Sequence, residues 1–509
     1  MKLLALAFVL PLCAVAQAQP APAPAPPAPT AAPNKAPAPK KAPAPKKAPA
    51  PKKDAAPVDP YADPKPDPAA AKTDAAPAKG DAKAPKVDPK AATSKAAPVD
   101  PYAAAPSDAP GIPSRVGLSD LTAVQGLLAV QRLDGWLLYD RDGSNPIAVR
   151  LVAPDGHPQR AWFYMIPARG EPVALVHVSE QRLFDKLPGK KLTYLGYRDL
   201  GKQLAALLST SRVKSIAIEY SPKAAVPNMS RVDAGTVELL RSLGVTVRSS
   251  DTLVQYTKAI WGDAGRTAHY VAVHHLVELR KDALAFISQR LMAKQPVTEY
   301  EVQQRIMHGM MVRGLAGPPP VVAAGVNTAD PYYVPTAAKT APINVGDVIV
   351  IGIAVKLDKP EGIYAAQTWV AYADRTVPES VAKAFNTVSL ARDQALVLIS
   401  DRARKMRPVT GAEVDDATRA FFKKAGVNEQ VMHRTGHSID NDLQGGGADL
   451  DDFEVKDTRI LTPGTGFTVG PGLYFPGQFG VRSEVSVYLS PGGPEVTTPA
   501  QDDVEALLK

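Results

Sequence analysis

His433 and His437 stand four residues apart in "HRTGHSID", with Asp440 and Asp442 just behind them. Imidazoles at this spacing are metal donors, and nearby carboxylates could complete a centre. Two histidines do not close a site, because even a catalytic zinc is usually held by at least three protein ligands. Further oxygen donors stand at Asp358 and in the acidic run "ADLDDFEVKD" (448–457). Nothing in their spacing fixes them as ligands, so they are expected to be loop acids on a solvated surface. The only cysteine is Cys13, and no G-x-S-x-G is present, so neither thiol nor serine-elbow chemistry finds a nucleophile. His157, His177, His269, His274, His275 and His308 are expected to be ordinary surface or core residues.

The elements that must position these residues divide the chain. Over 113–260, strand patterns at 133–140, 160–167, 171–178 and 215–221 alternate with helical patterns at 199–209 and 230–244, the last stopped by Gly244. This predicts an α/β unit with a mixed sheet between helices. From 261 to 509 the pattern changes. A long helix over 264–293 is followed by Thr298-x-x-Glu301, a capping box opening the next helix, and Thr410 with Glu413 opens another that Gly426 closes. Strands are expected in "VGDVIVIGIAVKL", "GTGFTVGPGLYF" and "VRSEVSVYL", the last alternating as one buried face requires. Helices beside an antiparallel sheet make this part α+β.

The first 112 residues read differently. "MKLLALAFVLPLCAVAQAQ" has a basic start at Lys2, an apolar run from Leu3 to Val15, and Ala16-Gln17-Ala18 as a cleavage site, so 1–18 reads as an export signal and the protein as periplasmic or extracellular. No later run suits a transmembrane segment. Residues 19–112 repeat "KAPAPK" and "AAPVDPYA" and hold almost nothing that could form a core, so this Pro/Ala/Lys-rich linker is expected to be disordered. Over 20–112, 14 Lys stand against 9 Asp; this net +5 supplies most of the chain's +8. The tail is expected to act as a tether, with lysines that could contact anionic wall polymers. Without arginine there, and with export expected, nucleic acid is not a predicted partner.

The motifs "DGWLLYDRDGSNPIA", "IEYSPKAAVP", "SRVDAGTVEL", "VNTADPYY", "KLDKP…YAAQTWV", "HRTGHSID", "PGLY" and "FGVRSE", in this order, make 113–509 resemble the M24 superfamily of creatinase, aminopeptidase P and methionine aminopeptidase, and Xaa-Pro peptidases in particular. The resemblance implies a creatinase-type N-terminal domain followed by a pita-bread domain. It also implies homodimers. Members that hydrolyse peptides hold two divalent ions with side chains in the chain order Asp, Asp, His, Glu, Glu, and the ions activate a water. Carried onto this sequence, the first aspartate position is Gly352, the second Ala366 and the fourth ligand Gly470; His437 and Glu484 remain. A histidine that contacts substrate in the family is replaced by Tyr332, and another falls at Gln444, whereas His433 and Arg482 are retained.

The resemblance therefore implies a cleft around His433, Arg482, Tyr332 and Gln444 without the donors for a metal pair. No catalytic residue and no cofactor is expected. A metal-free reaction of the creatinase kind would need its histidine where Tyr332 stands, and a phenol titrates too high for that task. The predicted function is an exported pseudopeptidase that binds proline-containing peptides or an envelope protein. The alternative is an active Xaa-Pro peptidase with a rebuilt site for Mn, Co or Zn.

Overall fold

The computed structural model describes residues 117–118 and 120–508; the predicted export signal and linker lie outside the described residues. The first part is a six-stranded sheet of β1 (Gly135–Asp140), β2 (Trp162–Pro167), β3 (Val173–His177), β4 (Lys190–Tyr194), β5 (Ser215–Ile218) and β6 (Thr246–Ser249), in the order β4-β3-β2-β1-β5-β6. The sheet is mixed: β1–β2 and β2–β3 run antiparallel, and the remaining pairs run parallel. The strands read as unbroken apolar runs because both faces are covered. Trp136, Leu138, Trp162 and Tyr164 pack on one side with α1 (Leu121–Val130) and α2 (Pro146–Val152). Leu137, Tyr139, Phe163 and Met165 pack on the other with α3 (Tyr197–Thr210) and α4 (Ala234–Ser242). The start of α2 is set by local chemistry. Asn145 accepts from the Ala148 N–H and Pro146 occupies the first turn, where its missing donor costs nothing.

The short α5 (Asp251–Val254) runs into a π-turn, Gln255–Ala259, and then into the 30-residue α6 (Asp263–Met292). Next come α7 (Glu299–Val312), β7 (Leu315–Ala316) and β8 (Val321–Ala324). Thr298 caps α7 by accepting from the Glu301 N–H, but Glu301 accepts from Arg290 rather than closing the reciprocal half of the box. At α9 (Gly411–Lys424) both halves form between Thr410 and Glu413. Between these helices lie β9 (Val348–Leu357), β10 (Ala365–Tyr372) and α8 (Glu379–Arg404).

β9 and β10 pair antiparallel and form the centre of the second part. Their side chains alternate between two cores, as the pleat requires. Ile349, Ile351, Ile353 and Val355 face α6 and α7, while Val348, Val350 and Val370 pack with Phe385 and Val388 of α8. By the same alternation, Gly352, Ala366 and Thr368 share the inner face, with Thr368 opposite Gly352. A further sheet of β11 (Ser438–Ile439), β12 (Gly466–Val469), β15 (Val485–Ser490) and β16 (Gly493–Val496), and a hairpin of β13 (Gly472–Phe475) and β14 (Phe479–Arg482), complete the walls. Thr368 N–H donates to the Glu484 carbonyl at 3.3 Å, joining β10 to the residue just before β15. The C-terminal β17 (Glu505–Ala506) pairs with β10 at the sheet edge.

Candidate functional site

The expected site residues come together where β10, the loop before β11, and the hairpin β13–β14 converge. His437 is fixed through its backbone: its N–H donates to Thr468 Oγ1 at 3.2 Å and its carbonyl accepts from the Thr468 N–H at 2.8 Å. This approach needs a glycine just before it, since a Cβ at Gly436 would lie 1.9 Å from the Thr468 carbonyl oxygen. The His437 ring donates from Nδ1 to the Ser438 carbonyl at 3.1 Å, which leaves Nε2 with the lone pair. Burial lowers its pKa, against the pull of Glu484 and Asp449.

His433 is tied at both nitrogens, to the Arg434 carbonyl and to the Tyr474 hydroxyl, each at 2.7 Å. With Nδ1 donating to the carbonyl, Nε2 accepts from Tyr474. Burial, reinforced by the Arg482 guanidinium, pulls His433 down to about 4, and burial pushes the Tyr474 phenol up.

Glu484 carries no free oxygen. Oε2 accepts from Thr368 Oγ1 and Oε1 from Arg482 Nη2, both at 2.7 Å. Burial alone would raise its pKa; Arg482, His437 and Thr368 outweigh it and hold the carboxyl below its ordinary value. The side chain also fills the space that a residue larger than glycine at 470 would need. A Cβ there would meet Glu484 Cγ at 2.8 Å and Cβ at 2.9 Å. A Cβ at Gly352 would stand 3.3 Å from Val321 Cβ and 3.5 Å from Thr368 Oγ1.

The structure thus brings His433, His437, Arg482 and Glu484 together with the side-chain-poor positions Gly352, Ala366 and Gly470. Tyr332 is 72% exposed and lies near Tyr474 and Arg482. Gln444 is exposed and accepts from Arg434 Nη2 at 2.6 Å. Among the described residues, no group of three or more His, Cys, Asp or Glu is arranged to hold a metal. The donors present do not fit a pair of divalent ions: His437 offers one nitrogen, and Glu484 is committed to Thr368 and Arg482.

The acids behind the loop differ from expectation. Asp440, Asp449, Asp451 and Asp457 are buried rather than solvated. Each is engaged: Lys258 Nζ lies 2.7 Å from Asp440, Arg434 Nη1 3.0 Å from Asp449 and 3.5 Å from Asp451, and Arg459 Nη2 2.6 Å from Asp457. Asp415 on α9 accepts from the Thr435 N–H and hydroxyl at 2.9 and 2.6 Å, fixing the loop from the other side. Sequence reading missed Asp415, Lys258 and Thr368 as positioning residues. Thr368 lay inside a quoted motif and could have been found there; Lys258 lies 182 residues from Asp440 and gave no local signal.

Comparison with known proteins bears on the fold. Residues 266–491 match the description of metallopeptidase family M24. The probable dipeptidase PepE of Mycobacterium tuberculosis (strain ATCC 25618 / H37Rv) is 28% identical over 179 residues, 34% of this chain and 42% of that protein. The Xaa-Pro dipeptidase of Lactobacillus helveticus is 24% identical over 43% of this chain and 54% of its own length. The chain therefore spans about half or less of these curated relatives. Among solved structures, dipeptidase PepE from Mycobacterium ulcerans superposes with a TM-score of 0.61 at 21% identity, covering 78% of this chain and all of that one. Prolidase from Thermococcus sibiricus gives 0.54 at 19%, covering 77% and 100%. The fold is the two-domain, pita-bread architecture that the motifs predicted. Over 266–491 the chain is similar to M24 metallopeptidases, the Xaa-Pro dipeptidase among them, and its fold is that of the solved PepE and prolidase structures.

Proposed function

We propose that this chain is an exported, peptidase-like binding protein whose cleft recognises proline-containing peptides or an envelope protein without hydrolysing them. One observation carries the reading. The three donor positions that the resemblance implies are occupied by Gly352, Ala366 and Gly470, and each oxygen of Glu484 is engaged by one hydrogen bond, from Thr368 and from Arg482. Closing those bonds gives the carboxylate the charge compensation that a cation would otherwise supply. Export rests on the apolar run from Leu3 to Val15 and the small residues before Gln19. On this reading the lysine- and proline-rich segment tethers the body and touches anionic wall polymers. The retained His433 and Arg482, with Tyr474 bonded to His433, keep the site polar.

The test is elemental analysis of the purified protein, together with hydrolysis assays on Xaa-Pro dipeptides in added Mn or Co. The expected result is substoichiometric metal and no turnover above buffer. Stoichiometric metal with turnover abolished in His437→Ala would overturn the proposal in favour of a rebuilt Mn, Co or Zn site.

A further inference from the structure

Arg280 lies midway along α6 on the outer side of the central sheet, only 7% exposed. Its guanidinium lies over the Trp369 ring, 3.6 Å from the centroid, and Nη1 donates to Gln367 Oε1 at 2.7 Å. Nε is buried with no hydrogen-bond partner. The other three buried arginines each have a carboxylate at contact distance: Arg266 with Glu495 at 2.8 Å, Arg392 with Asp393 at 2.8 Å and Arg459 with Asp457 at 2.6 Å. Among the described residues Arg280 has none; Glu505 and Glu278 act on it only as more distant charges. Burial pulls its pKa down to about 10 against their opposing pull. A guanidinium withdrawn from water with only one neutral acceptor is incompletely compensated.

Beside it opens a cavity of about 300 Å³, lined by Arg280, Lys281, Leu284, Ser288, Glu505 and Leu507. We propose that this cavity is a binding site for a short aliphatic monocarboxylate, whose carboxylate supplies the counter-charge that Arg280 lacks. Several features select that chemistry. The volume suits a small molecule, and Leu284 and Leu507 give it apolar wall. Lys281 is partly engaged by Glu278 at 3.2 Å, so one cation dominates. Glu505 is held aside by accepting from Trp369 Nε1 at 2.9 Å, but its charge remains in the wall and disfavours a dianion such as phosphate. The site is separate from the cleft, although one strand serves both. Gln367 points outward to Arg280, while Thr368, the next residue, points inward to Glu484.

The test uses the full chain with sodium propionate, compared with chloride and phosphate at matched ionic strength, read by calorimetric titration and thermal unfolding. Propionate is expected to bind saturably and to raise the unfolding midpoint, with chloride inert and phosphate weaker. Arg280→Lys, which keeps the charge but loses the planar fork, is expected to weaken binding about tenfold. Glu505→Gln retains an acceptor for Trp369 and removes the competing charge, so it is expected to tighten binding. No saturable propionate binding in wild type or Glu505→Gln would overturn the proposal, as would an affinity unmoved by Arg280→Lys. Phosphate binding more tightly than propionate would overturn the monocarboxylate assignment. If Arg280→Lys does not fold, the Glu505→Gln comparison decides alone, and an unchanged affinity there counts against the site.

Discussion

On the floor of the cleft, Glu484 shares its surroundings with Gly352, Ala366 and Gly470, and its charge is met by a single guanidinium. Behind the loop that carries His437, the situation is reversed. Asp415, Asp440, Asp449, Asp451 and Asp457 are all buried, and Arg419, Lys258, Arg434 and Arg459 thread between them. Both regions are rich in charge, yet neither offers a set of free oxygens. The contrast shows that the number of carboxylates near a histidine says little about a metal; what matters is whether their lone pairs are already spent. A buried acid stays ionised only with donors or a cation beside it; all of these but Asp451 have both oxygens bonded within the protein, and Asp451, whose Oδ2 is buried without a hydrogen bond, has its pKa raised by burial.

The comparison breaks most severely at Lys258. Its ammonium bonds both oxygens of Asp440, with side chains 4% and 0% exposed, and it is the link between the π-turn after the first sheet and the loop following His437. Lys258→Ala leaves Asp440 buried with only the Asp442 and Gly446 N–H groups. We expect a loss of about 3–5 kcal/mol in denaturant unfolding. A loss below about 1 kcal/mol would mean that the network behind the loop is not what holds it.

The cleft side is sharpened by Gly470. Gly470→Ala forces a Cβ against Glu484 and is expected to cost about 1–3 kcal/mol. In a Glu484→Gly background the same change should be close to neutral, because both the Cβ and the Cγ that it would meet are gone. A double-mutant cycle measures the coupling. Additive costs would show that Glu484 does not fill the space left at 470.

Much of this was legible in advance. The strands β1, β2, β3, β5 and β9, the long α6 and the capped α9 follow from periodicity and capping residues, whereas β4, β6, β8 and β16 were not anticipated, and "GTGFTVGPGLYF" and "VRSEVSVYL" are each interrupted, at Gly470-Pro471 and at Ser483-Glu484, rather than single strands. The 26-residue α8 was not anticipated: its N-cap is Pro378, which makes no side-chain cap bond, so no start signal marks it. The reciprocal half of the box at Thr298 failed because Glu301 pairs with Arg290, eleven residues away. The burial of the acidic run could not be read from the run itself. Its cations are Arg434, from the loop that carries His437, and Arg459, two residues past its end, and composition alone makes such a stretch look solvated.

A pH titration separates buried histidines from the acids. His269 on α6 bonds the Tyr364 carbonyl at 2.8 Å and Thr497 Oγ1 at 2.7 Å, and burial lowers it from 6.5 to about 3. The unfolded chain therefore binds a proton that the folded one refuses. The stabilising contribution is fully present above about pH 6.5 and is lost as pH falls toward 3. Unfolding free energies measured from pH 7 to 4 should decline, and His269→Gln should flatten the slope by up to one proton. An unchanged slope would indicate that His269 takes up its proton without unfolding.

The smallest effect is expected at Gln444, and it tests the border between the two regions. Gln444 is exposed and takes one bond from Arg434, whose guanidinium also lies by Asp449 and Asp451. If Arg434 is positioned by those buried acids, removing its exposed acceptor leaves the guanidinium in place and water substitutes for the amide. Gln444→Ala should then change stability by no more than about 0.5 kcal/mol. A larger loss would mean that the loop is held from its solvent side, and Arg434→Gln in the same background would then add little. If the acids do the holding, Arg434→Gln is the damaging change with or without Gln444, because it strips Asp449 and Asp451 of the cation they share.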